Sequence, residues 1–136
     1  MTYNLFISHS WTYSDAYERL INLLNEHPYF SYKNYSVPKD DPLTIYSPFY
    51  YKSELKNKIT KQMKPCHVVL ILAGVYATNS SSIDLEIEAA KELKKPIIGI
   101  EPWGAEKVSS KVRENADVMV KWNSDSIVDA IRKYSI

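Results

Sequence analysis

One carboxylate in this sequence falls where a helix should be apolar. The stretch Ser80–Pro96, SSSIDLEIEAAKELKKP, has the pattern of a helix N-terminus followed by an amphipathic helix. A helical wheel at about 100° per residue separates two faces: Ile83, Ile87, Ala90 and Leu93 on one, and Asp84, Glu88, Lys91 and Glu92 on the other. Glu86 falls within the apolar arc. Because a buried charge costs free energy unless it is compensated, an inward Glu86 indicates a candidate functional site.

A structural explanation of this glutamate competes with the functional one. Ser82 at the N-cap, with a glutamate soon after it, resembles a capping box, and the N-terminal helix dipole favours acids. Asp84 can meet that need from the solvent face, so capping leaves the inward direction of Glu86 unexplained. The pattern alone leaves both explanations open.

Two other groups of side chains could bind a nucleotide. The hydroxyl-rich segment 8–14 could hold a phosphate beside the first turn of a following helix, or Ser14 could simply cap that helix. Trp11 and Trp103 fall in predicted loops, where either could stack on a base or pack against the protein.

Several kinds of site are disfavoured. The three histidines are scattered, and none has a second ligand at metal spacing, so we expect no metal site. The single cysteine, Cys66, excludes an internal disulfide and a cysteine-based zinc site. Only three glycines occur, and neither G-x-G-x-x-G nor a P-loop is present, which argues against a Rossmann-type dinucleotide grip. The proximity of Ser8, His9 and Asp15 in sequence is weak support for a catalytic triad.

The overall composition predicts a single domain spanning residues 1–136. Hydrophobic residues make up 45% of the chain, and the formal net charge is +1. A nucleic-acid partner is therefore not expected, because such proteins usually carry a basic stripe. The start lacks the pattern of a signal peptide, and the longest apolar run, VVLILAGV, is too short to span a membrane. We expect a cytoplasmic protein without membrane contact.

Strand-like and helix-like segments alternate along the chain. The strand patterns are YNLFIS, YFSYKNYSV, CHVVLILAG, PIIGIE and ADVMVKW, and the helix patterns are DAYERLINLLNEH, KSELKNKITKQMK, the Ser80–Pro96 stretch, KVSSKVREN and NSDSIVDAIRKY. Asn123 or Ser124 would cap the last helix, and PKDDPLTIYSPFYY is predicted as a long loop. This alternation predicts a flavodoxin-like three-layer α/β fold. Its five-stranded parallel sheet would have the order 2-1-3-4-5, with helices on both faces and ligands at the carboxyl ends of the strands.

Four segments in this order resemble the TIR domain family. They are LFISHS, the loop 37–50 in the place of the family's BB loop, SSSIDLEIEAA, and KKPIIGIEPWG. The segments PIIGIEPWG and KWNSDSIVDAI are most similar to the bacterial branch that includes the Thoeris antiphage proteins. The resemblance covers nearly the whole chain, and Glu86 matches the family's catalytic glutamate.

The resemblance implies an enzyme that consumes NAD⁺. It would cleave the nicotinamide–ribose bond and make a linear or cyclic ADP-ribose-type signal that activates a separate effector in antiphage defence. NAD⁺ would be the substrate, no cofactor or metal would be needed, and self-association would accompany activation. The residues implied in substrate binding are Phe6, Ser8, His9, Ser10, Trp11, Pro38, Asp41, Tyr46, Ser82 and Trp103. Two positions depart from the family: Ser82 replaces a frequent tryptophan, and Ser10 and Trp11 follow His9 where an arginine is often found.

Three alternatives are weighed against this enzyme. A TIR domain can act as a non-catalytic interaction module through its BB loop, although an inward Glu86 favours an enzyme. A response-regulator receiver shares the fold but needs acidic residues where this chain has Ser8–Ser10 and Ala73–Gly74. A flavin carrier using the hydroxyl-rich segment would be yellow when purified.

Overall fold

The computed structural model describes residues 1–8, 16–36, 48–74, 81–103 and 107–136, with the side chains of 16, 48–52 and 81–82 excepted. Within these ranges the strands are β1 (Thr2–Ile7), β2 (Ser31–Asn34), β3 (Val68–Leu72), β4 (Ile97–Ile100) and β5 (Val118–Val120). The helices are α1 (Ala16–Glu26), α2 (Pro48–Met63), α3 (Ser81–Glu92), α4 (Ser110–Asn115) and α5 (Ser124–Tyr134). None of these helices combines the length and apolar character that crossing a bilayer requires.

The five strands form one parallel sheet in the order β2-β1-β3-β4-β5, which confirms the predicted fold class. From β1 the chain moves outward to β2 and then returns to the other side of β1 to form β3. The strand order therefore reverses between β1 and β3. In open α/β sheets, ligands bind outside the carboxyl ends of the strands at such a reversal.

The central strands are apolar because they are covered on both faces. Every residue of β3 and of β4 is buried. This matches the continuous Val, Ile and Leu runs that parallel sheets use when helices cover both sides. These two strands and the buried half of β1 form the centre of the sheet.

Alternation along β1 divides the core into two clusters. Leu5 and Ile7 pack in the cluster beneath α1 and α5, whereas Phe6 packs in the cluster beneath α2, α3 and α4. Because successive side chains of a strand point to opposite faces, Ser8 follows Phe6 toward the side of α2, α3 and α4. The residue after β1 is thus directed toward the helix that carries Glu86.

The start of α2 differs from the sequence prediction, and the start of α5 decides between two predicted caps. Helix α2 begins at Pro48, so PFYY (48–51), predicted as loop, is helical. Proline is well suited to the first helical position because its missing N–H has no intrahelical partner there. Of the two candidate caps for α5, the structure selects Asn123, whose Oδ1 accepts the N–H of Ser126 at 2.8 Å.

Candidate functional site

Glu86 is buried, as the helical wheel predicts. Its exposed fraction is 1%, and its neighbours on the inward face of α3, Ile83 and Ile87, are 0% and 8% exposed. The outward face carries Asp84 and Glu88, which are both exposed. The inward face is held in place by apolar packing, because Ile83 and Ile87 belong to the core cluster that contains Phe6. This packing fixes the direction in which the carboxylate points.

Buried polar residues are concentrated near one edge of the sheet. In the described part of the chain they are Ser8, Glu86 and Ser109, each at most 2% exposed. Ser8 directly follows β1, and the N–H of Ser109 donates to the carbonyl of Ala73, just after β3, at 2.8 Å. Glu86 is the sixth residue of α3, roughly 7 Å along the helix from its first residue. Burying polar groups is costly, so their concentration beside the strand-order reversal marks this edge as the candidate site.

Hydrogen bonds with the backbone fix the positions of Ser8 and Ser109. The N–H of Ser8 donates to the carbonyl of Leu70 at 2.9 Å and extends the pairing of β1 with β3. Ser109 caps α4, where its Oγ accepts the N–H of Val112 at 3.4 Å. Ser109 is not among the site residues predicted from the sequence. The signal that could have found it is the Ser-Ser pair within the pattern KVSSKVREN, since serine is a good N-cap.

The carboxylate of Glu86 lies among interacting groups. Glu86 and Ser8 each interact with other groups of the protein. One carboxylate oxygen, Oε2, is fully buried and accepts no hydrogen bond from within the described part of the chain. A carboxylate in such a setting has little water around it, so its charge acts strongly on a group placed beside it.

Trp103 lies on the other side of the sheet. Its ring centroid is 4.8 Å from that of Trp122, and the guanidinium carbon of Arg19 is 4.8 Å from the Trp103 centroid. Trp122 packs against the core beneath α1 and α5. The structure therefore groups Trp103 with Arg19 and Trp122, whereas Phe6, Ser8 and Glu86 share the side of α2, α3 and α4. Arg19 is not among the predicted site residues, because a cation over a ring 84 positions away leaves no local pattern in the sequence.

The remaining predicted substrate residues have different outcomes. His9, Ser10, Trp11, Pro38, Asp41 and Tyr46 lie outside the described residues. Helix α3 begins at Ser81, so Ser82 lies inside the first turn and not at the N-cap as predicted. Three consecutive serines precede the apolar pattern, and each is a good cap, so sequence alone could not choose among them. Phe6 is 0% exposed and belongs to the core.

Metal and thiol chemistry find little support in the part of the chain that the structure describes. No group of three or more His, Cys, Asp or Glu residues there could hold a metal ion. Cys66 is buried, and burial raises the pKa of its thiol to about 12, so the reactive thiolate is not formed near neutral pH. His67 directly precedes β3, and its Nδ1 accepts the N–H of Asn4 at 2.9 Å.

Comparison with known proteins agrees with this architecture. Among solved structures, the chain is similar to a Clostridium botulinum CMP N-glycosidase, BcmB (TM-score 0.52, 18% identity, 96% of this chain and 99% of that one). It is similar to S. aureus MnaA, solved with UDP (TM-score 0.54, 16% identity); the match covers 99% of this chain and 42% of that one. It is also similar to a prokaryotic SEFIR domain (TM-score 0.50, 13% identity, 96% of this chain and 94% of that one). At these identities the likeness concerns the fold.

No curated protein sequence matches the chain. The family model described as "Thoeris protein ThsB, TIR-like domain" matches residues 6–107, which is most of the chain and includes Phe6, Ser8, Glu86 and Trp103. The chain therefore belongs to the TIR-like domain family of the Thoeris protein ThsB.

Proposed function

We propose that this protein is an enzyme that cleaves the N-glycosidic bond between nicotinamide and ribose in NAD⁺, with Glu86 as the catalytic carboxylate. The observation that carries the proposal is the burial of Glu86, 1% exposed, on the same side of the sheet as Ser8 and near the strand-order reversal. Membership of the ThsB family, whose resemblance to TIR enzymes implied the same reaction, supports it.

The chemistry suits a buried carboxylate. When the bond between ribose C1′ and the nicotinamide nitrogen breaks, both electrons leave with nicotinamide, which departs as a neutral molecule. The ribose gains oxocarbenium character, as in glycoside hydrolysis. A fixed carboxylate in a site with little water stabilises that positive charge. Water then adds to C1′ and releases a proton, or a nucleophile of the same molecule adds and forms a cyclic product.

The product would serve as a signal. We infer that a separate effector recognises the linear or cyclic ADP-ribose in antiphage defence, and that self-association of the protein accompanies activation. NAD⁺ is the substrate in this account, so the reaction needs no additional cofactor.

A second substrate class is favoured by one comparison. The CMP N-glycosidase BcmB shares this fold over 96% of the present chain. CMP carries the same kind of bond between C1′ and a base nitrogen, but cytosine leaves as an anion unless it is protonated. A CMP-cleaving enzyme would therefore need a general acid, and its rate would fall as that acid loses its proton at higher pH.

The experiment compares the two substrates directly. Purified protein at high concentration, with and without a crowding agent that promotes self-association, is incubated with NAD⁺ or CMP, and the released bases are separated by chromatography. We expect nicotinamide from NAD⁺ and little or no cytosine from CMP. Release of cytosine without nicotinamide would indicate that the substrate is a nucleoside monophosphate and not NAD⁺. Release of neither base would favour a non-catalytic interaction module.

A further inference from the structure

Helix α3 carries three acids that would repel one another in isolation. Asp84, Glu88 and Glu92 are spaced four residues apart, which places them along one face of the helix. Like charges at this spacing destabilise a helix. All three are more than half exposed, at 57–62%, and none of them points toward the core.

Two lysines from the flanking helices offset part of the negative charge of this row. Lys56 of α2 places its Nζ 3.1 Å from Glu88 and 3.4 Å from Glu92. Lys111 of α4 places its Nζ 2.9 Å from Asp84. These three contacts, here named the α3 ion pairs, connect α3 to a neighbour on each side.

Lys56 differs from an ordinary surface lysine. Its side chain is only 20% exposed, and it meets two carboxylates. Burial alone would lower the pKa of Lys56, but hydrogen bonds and attraction from Glu88 and Glu92 outweigh it and raise that pKa above its ordinary value. Exposed single ion pairs contribute little to stability, whereas a partly buried charge shared by two partners is held more firmly.

The α3 ion pairs lie on either side of Glu86 along the helix. Asp84 precedes it by two residues and Glu88 follows it by two, so the carboxylate is carried between two anchored positions. Catalytic groups lose effectiveness when they shift by a fraction of an ångström. We propose that Lys56 and Lys111 are positioning residues, which hold α3 from both sides and thereby fix Glu86 at the reacting bond. This inference rests on the proposed function of Glu86.

The test uses charge removal with the aliphatic stem retained. The variants are Lys56→Met, Lys111→Met, the double variant, and Lys56→Arg as the conservative rescue. Lys121→Met is the matched control, because Lys121 pairs with Glu101 at 3.4 Å away from α3. Each protein is assayed for kcat and KM with NAD⁺, and hydrogen exchange of the α3 amides is measured without substrate.

We expect the double variant to lose two- to fivefold in kcat with KM within twofold of wild type, and to exchange its α3 amides faster. Lys56→Arg should stay near wild type, and Lys121→Met should change neither quantity. A role in stability alone would lower the melting temperature and leave kcat unchanged, and this result would overturn the proposal. Equal losses in Lys121→Met would also overturn it.

The two proposals fail in different ways. If the wild type releases no nicotinamide, the proposed function of Glu86 fails, while faster exchange in the double variant would still support anchoring of α3 by the two lysines. If exchange of the α3 amides is unchanged in the double variant, the anchoring fails whatever the enzymatic activity.

Discussion

Glu86 and Asp84, two positions apart on α3, face opposite environments. Glu86 is 1% exposed and points into the core side of the helix, whereas Asp84 is 62% exposed and meets Lys111 at 2.9 Å. Both are acids near the start of the same helix, where the dipole favours negative charge. Asp84 satisfies that preference from an exposed position, where a charge costs little. The inward placement of Glu86 therefore requires another explanation, and the proposed function supplies one.

Substitutions of Phe6 can show whether this residue stabilises the core or binds the substrate. Its side chain is 0% exposed within the cluster beneath α2, α3 and α4. We expect Phe6→Ala to lower the free energy of unfolding by about 3–5 kcal/mol, because it leaves a cavity in the core. Phe6→Leu should cost only about 1 kcal/mol. Denaturant unfolding measures both, and a tenfold rise in KM for NAD⁺ without loss of stability would show that Phe6 acts on the substrate instead.

The contact between Trp103 and Arg19 can be tested by mutation. Arg19 and Trp103 should couple by about 0.5–1 kcal/mol in a double-mutant cycle of Arg19→Met and Trp103→Leu, because the guanidinium lies over the ring. Since Trp103 lies with the α1 and α5 side, we expect Trp103→Leu to change KM for NAD⁺ by less than twofold. A tenfold increase would indicate that the substrate extends across the sheet edge to this tryptophan.

Because of Cys66, we expect the free energy of unfolding to change with pH in the alkaline range. Burial raises the pKa of its thiol from 9.0 to about 12, so the folded state keeps the proton that the unfolded state loses above pH 9. The contribution is fully present below pH 9 and is lost as pH rises toward 12. Urea unfolding at pH 8, 9, 10 and 11 should show a steeper decline for wild type than for Cys66→Ala. Parallel declines in the two proteins would contradict this account.

Strong periodicity explains what could be predicted from the sequence. The apolar runs of β3 (VVLIL) and β4 (IIGI), and the helical spacing that directs Glu86 inward, depend on local sequence alone. The start of α2 was missed because Pro48–Tyr51 combines a proline with aromatics, which also suits a loop. Arg19 over Trp103 and Lys56 between two acids of α3 join segments far apart in sequence. Such contacts become visible only when the fold brings the segments together.

The most direct test of the central claim is the rate of nicotinamide release by Glu86→Gln. It is compared with wild type and with Glu114→Gln, the same change at an exposed glutamate of α4, at equal concentrations of folded protein. Removing the charge that stabilises the developing cation should lower kcat by about 10²–10³, and Glu114→Gln should stay within twofold of wild type. Release by Glu86→Gln at the wild-type rate would contradict the assignment of Glu86 as the catalytic residue.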